Sequence, residues 1–155
     1  MSIARRLSLL ARSPSGSTQG LLKFYLGAID GCDVIHAQLE LHTISDTVGD
    51  AAKAYRLDGA AAWDASTTTW NSMSGPGGAI PSQYAADPSF TTDPYSGAFL
   101  STDVTEDVAA WLANPADNQG WAFISDDSHI WGFMTSMDDK PAEHPKLVVV
   151  AANCP

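Results

Sequence analysis

Residues 33–43 alternate without a break. Ile35, Ala37, Leu39 and Leu41 fall on one face of an extended chain, and His36, Gln38, Glu40 and His42 fall on the other. A period of two marks a β-strand with one buried and one solvated face. Strands of that kind belong to antiparallel sheets, because parallel sheets bury both faces. A helix would scatter the same apolar positions around its circumference.

The rest of the chain fits that start. Residues 20–26 place Leu22, Phe24 and Leu26 on one face and Leu21, Lys23 and Tyr25 on the other. Shorter extended segments are expected at 52–57, 97–103, 120–125, 130–136 and 146–152, separated by turn residues such as Asp126-Asp127-Ser128. One helix is expected at 105–112. Val104, Val108, Trp111 and Leu112 form its apolar stripe, Thr105 is its expected N-cap, Glu106 and Asp107 suit the positive end of its dipole, and Asn114-Pro115 ends it. Residues 13–20 read as a polar hinge, and 80–95, with Pro81, Pro88 and Pro94, as a long loop of the kind that makes contacts. Many short strands and one short helix give an all-β fold, an antiparallel β-sandwich of the jelly-roll type. With 155 residues the chain fits one domain. It divides into a basic arm and hinge at 1–19, the sandwich at 20–152 and a short tail at 153–155.

Charge is unevenly spread. The net charge is −10, yet Arg5, Arg6 and Arg12 lie in an N-terminal stretch that holds no acid. The acidic body repels nucleic acid and anionic membranes at long range. The three arginines are candidate assembly contacts, an arm that docks onto neighbouring subunits. Residues 1–12 are too short and too interrupted for an export signal, and no apolar run approaches a membrane span. Cys32 and Cys154 are too few for a disulfide scaffold, and the sequence leaves their pairing open.

Chemistry-bearing motifs are sparse. There is no G-x-S-x-G, H-E-x-x-H, C-x-x-C or phosphate-cradling glycine loop, so no enzyme activity and no cofactor are expected. His36 and His42 lie about 20 Å apart along one strand and cannot share a metal. Asp126-Asp127 and Asp138-Asp139 read as solvated turn acids, with Ca²⁺ the only metal they suggest. Trp63, Trp70 and Trp111 read as core. The candidates for glycan or interface contact are Tyr25, His36, Gln38 and Trp131, the aromatic ones because exposed rings stack on sugars and anchor interfaces.

Several segments together resemble the DNRLRE-type domain, a family of carbohydrate-binding-module-like jelly rolls. They are Leu21-Leu22-Lys23-Phe24-Tyr25-Leu26, Ala37-Gln38-Leu39-Glu40-Leu41, Trp63-Asp64-Ala65-Ser66-Thr67-Thr68-Thr69-Trp70-Asn71, Asp103-Val104-Thr105 with Trp111-Leu112, Asn118-Gln119-Gly120-Trp121-Ala122-Phe123 and Pro145-Lys146-Leu147. The resemblance covers about residues 21–150 and implies a non-catalytic sandwich that binds polysaccharide. Two departures stand out. The arm occupies the place of a further first strand, so an open sheet edge is expected, and Ala65 replaces an acid.

Three functions compete. The favoured one is a structural or decorating subunit of a larger assembly, such as a virion surface protein, with protein subunits as partners. It rests on the basic arm and the missing strand. The alternative is a polysaccharide-binding module of an extracellular enzyme or adhesin. No motif supports the third, a small hydrolase.

Overall fold

The computed structural model describes residues 2–3, 6–12, 18–45, 51–57, 63–64, 87–92, 99–124, 131–133 and 140–155. They form two five-stranded antiparallel sheets and one α-helix, an all-β sandwich. The first sheet contains β1 (Ser2–Ile3), β10 (Lys146–Ala152), β4 (Asp33–Ser45) and β7 (Phe99–Asp103) in that order, and β9 (Trp131–Phe133) also pairs with β4. The second runs β2 (Arg6–Arg12), β3 (Thr18–Phe24), β8 (Trp121–Ile124), β5 (Lys53–Arg56) and β6 (Phe90–Thr91). Helix α1 spans Thr105–Ala113. No helix among the described residues is long and apolar enough to cross a membrane.

The two alternating segments become the central strands. Ala37, Leu39 and Leu41 of β4 meet Leu22 and Phe24 of β3 in one core with Leu147, Val149, Trp111, Trp121 and Phe123. Each fully buried side chain of this size contributes about 1.5–3 kcal/mol. The Trp111 and Trp121 rings meet edge to face, with centroids 4.6 Å apart.

The structure departs from the sequence reading in several places. Ile35, expected on the buried face of β4, is 62% exposed. The register with β10 shifts there, since Val150 lies opposite His36 and Ala151 opposite Val34. That irregularity interrupts the alternation and turns Ile35 and His36 both outward. The stretch read as a basic arm contains two strands. Ser2–Ile3 pairs with β10, and Arg6–Arg12 pairs along β3 from Phe24 to Thr18. An open sheet edge was expected in place of a missing first strand; the N-terminal stretch instead supplies β1 to the first sheet and β2 to the second. Arg6 and Arg12 are the terminal residues of β2, and Arg5 lies outside the described residues. The expected long loop contains β6, which pairs with β5. Trp70 and the acid pairs at 126–127 and 138–139 also lie outside the described residues.

Candidate functional site

Helix α1 starts against β4. Its first residue is Thr105, not the residue before the helix. Val104 stands at the N-cap position with no side-chain cap bond, and Asp103 Oδ1 accepts from Thr105 N at 2.8 Å. Thr105 Oγ1 instead accepts from Ala37 N at 2.9 Å, and Val104 N donates to Ala37 O at 2.9 Å. The Asp103-Val104-Thr105 motif thus staples the helix to the central strand.

The other end of the helix leads into the Asn118-Gln119-Gly120-Trp121 motif, and each of its residues has a physical role. Asn118 Nδ2 donates to Phe24 O, the last carbonyl of β3, at 2.9 Å. Lys23 Nζ donates to Gln119 Oε1 at 2.9 Å. Trp63 Nε1 donates to Gln119 O at 2.7 Å, which puts the first tryptophan of the Trp63–Asn71 motif against the same turn. Gly120 has φ +76° and lies so close to β3 that a Cβ would overlap the Leu22 carbonyl oxygen. Trp121 then enters the core.

These bonds build one wall of a recess of about 320 Å³. Lys23 comes from the end of β3, Tyr25 follows that strand directly, and Asp30 follows the 3-10 turn Gly27–Ile29. Trp111 comes from α1, and Asn118 and Gln119 from the stapled turn. Tyr25 is 42% exposed, which leaves much of its ring open to solvent, and Lys23 Nζ lies 6.0 Å from the ring centroid. Burial holds the Lys23 ammonium below its ordinary pKa, and the charge of Asp64 partly offsets that shift. Two buried polar atoms of the lining residues, Trp111 Nε1 and Asn118 Oδ1, have no hydrogen-bond partner among the described residues.

A second, larger cleft of about 520 Å³ lies where the β4 irregularity meets the start of α1. Its lining includes Ile35, His36, Asp103, Thr105, Glu106 and Asp107. It brings carboxylates together, and among the described residues no tyrosine or tryptophan lines it. His36 Nδ1 stands 3.6 Å from Asp103 Oδ2.

The sequence candidates are therefore dispersed. Tyr25 belongs to the smaller recess and His36 to the larger cleft. Gln38 lies on the outer face of the first sheet between Val148 and Asp103, and lines neither. Trp131 is in β9, opposite Ser45. Lys23, Asn118 and Gln119 were not among the candidates, although the motif containing Asn118 and Gln119 was the available signal. Among the described residues, no group of three or more His, Cys, Asp or Glu could hold a metal ion.

A rigid sandwich carrying a recess with an exposed aromatic ring beside amide and ammonium groups has the form of a binding module. Comparison with known families makes the class specific. The model of carbohydrate-binding module family 96 matches residues 5–151, and the chain belongs to that family. The search of curated proteins returned no match.

Proposed function

We propose that the chain is a non-catalytic polysaccharide-binding module of an extracellular protein, and that it holds sugar units in the recess beside Tyr25. The family match, which spans both sheets, is the observation that carries this reading. The recess supports it chemically. Sugar rings bury their C–H faces on aromatic rings while their hydroxyls meet amide and ammonium groups. The Cys32–Cys154 disulfide supports an oxidising compartment. Within this reading, the paired motifs around Trp63 and Asp103 support a DNRLRE-type assignment. A virion subunit draws no support from the family match, and the stretch read as a free basic arm contains the paired strands β1 and β2.

A depletion assay with insoluble polysaccharides tests the proposal. The wild-type protein is expected to leave solution with at least one polymer. Tyr25→Ala should weaken that binding about tenfold, the usual effect of losing one aromatic anchor, with unchanged circular dichroism. Binding by Tyr25→Ala at wild-type strength would move the site elsewhere on the surface.

A further inference from the structure

We infer that Gln119 is a positioning residue that holds the Lys23 ammonium at the recess, ready to donate to a sugar oxygen; this rests on the binding reading above. A lysine head sits on a flexible four-carbon stem, and holding it in one place costs rotamer freedom. A site that orders the head before the ligand arrives spares the binding step that cost. Gln119 does the ordering. Its Oε1 accepts from Lys23 Nζ at 2.9 Å, and the residue is only 9% exposed. Its Nε2 donates to Ala116 O at 3.3 Å, which fixes the end of the amide that faces the lysine. Both ends of the amide are thus engaged within the protein, so Gln119 acts through Lys23 and not by its own contact with a ligand.

The main chain of Gln119 is pinned as firmly as its amide. Its N donates to Asp117 O at 2.8 Å, and its O accepts from Trp63 Nε1 at 2.7 Å. Gly120, next in the chain, packs on the backbone of Leu22 and Lys23 with no room for a Cβ. The acceptor therefore stands at a fixed place beside the strand that carries Lys23. Lys23 lines the recess, and its Nζ lies 6.0 Å from the Tyr25 ring centroid. The bond to Gln119 uses one of the three N–H donors of the ammonium, and the other two can meet a ligand. The group they meet is an acceptor oxygen of a sugar unit, hydroxyl or carboxylate.

A double-mutant cycle read by isothermal titration of the full chain tests the inference. The variants are Gln119→Met, Lys23→Met and the two combined, each titrated well below its own Tm. The probes are soluble oligomers of a neutral β-glucan and of alginate, each at about 50 and about 500 mM NaCl. A glucan Kd that salt leaves unchanged identifies the oxygen as a hydroxyl, and an alginate Kd that rises several-fold with salt identifies it as a carboxylate. In either arm Gln119→Met should weaken binding about fivefold, the cost of immobilising one long side chain. In the Lys23→Met background the same substitution should matter less than about twofold. Gln119→Glu keeps an acceptor oxygen for the ammonium and should bind more tightly than Gln119→Met. Equal weakening by Gln119→Met in both backgrounds would mean that Gln119 supports the turn and not Lys23. Wild-type binding by Lys23→Met or by Gln119→Met would remove the positioned ammonium from the site. Either result overturns the inference and leaves the binding reading, which Tyr25→Ala tests, intact. Binding of neither oligomer would also overturn the inference, and no retention in the depletion assay would overturn the binding reading with it.

Discussion

Asp107 lies in the first turn of α1 with its carboxylate turned into the sandwich, and the residue is 7% exposed. Its Oδ2 accepts from Trp121 Nε1 at 2.6 Å, and its Oδ1 stands 3.3 Å from Arg56 Nη1. A buried carboxylate persists only when it is paired and hydrogen-bonded. Here it gives the buried Trp121 ring a partner for its only polar atom. Asp107→Ala removes that acceptor, leaves the indole N–H buried without a partner and strands Arg56. A loss of about 2–4 kcal/mol is expected from urea denaturation. Asp107→Asn keeps an acceptor of the same shape and should cost roughly half as much. Equal losses for the two variants would mean that charge, not hydrogen bonding to Trp121, dominates the site. The sequence marked Asp107 only as a suitable charge for a helix start. Its partners lie 14 and 51 residues away, and no local pattern records such distances. The same holds for Lys23 and Gln119, which meet across 96 residues. Tyr25 was legible as an aromatic on the face opposite Leu22, Phe24 and Leu26, although Leu21 on that same face is buried.

Elements with a period were read well, and elements without one were not. β3, β4 and α1 carry repeats of two or 3.6 residues, β10 is a short apolar run, and the bounds of all four differ from expectation by a few residues at most. β2 reads Arg-Leu-Ser-Leu-Leu-Ala-Arg, which breaks alternation at Leu9-Leu10, and β6 is two residues long. Their structure comes from pairing with β3 and β5, a tertiary cause. The start of α1 shows how one element depends on another. Asp103 bonds to the helix N-terminus, and the hydrogen bonds from Thr105 hold its carboxyl below the ordinary value of 3.8, with a smaller effect from His36. A carboxyl whose pKa is depressed by folding stabilises the fold fully above the unfolded value. That contribution is lost as pH falls through the folded value. Asp103→Asn retains an acceptor but no charge. The gap in Tm between wild type and Asp103→Asn should therefore be constant above about pH 5 and close as pH falls below 3.8. A gap that stays open at pH 2 would show that the ionised form is not what holds the helix start. Asp103 is exposed, so the gap itself should be small.

At the scale of the whole molecule, the Cys32–Cys154 bridge joins residues 122 positions apart and ties the chain just before β4 to the chain just after β10. Those strands already pair from Asp33–Ala152 to Glu40–Lys146, and Asn153 Nδ2 donates to Asp33 Oδ2 at 2.8 Å. The bridge therefore adds little to the contacts of the folded state. Its main effect falls on the unfolded chain, where closing so long a loop removes conformational freedom. Cys32→Ser with Cys154→Ser should cost about 2–5 kcal/mol, or roughly 5–15 °C in Tm for a chain of this size. Reducing agent should bring the wild-type protein to the same Tm and leave the double variant unmoved. The recess gives a second reading of the same experiment. Its wall is held by Asn118, Gln119 and Gly120 against β3, and none of these bonds passes through the bridge. Well below the lowered Tm, the reduced protein should bind its polymer within about twofold of the oxidised form, since a cross-link acting on the unfolded state changes stability without reshaping the native site. A large loss of affinity on reduction, with the fold intact, would instead assign the bridge to the recess. The connection would then run through the turn after β3, where Asp30 lines the recess and Cys32 follows two residues later.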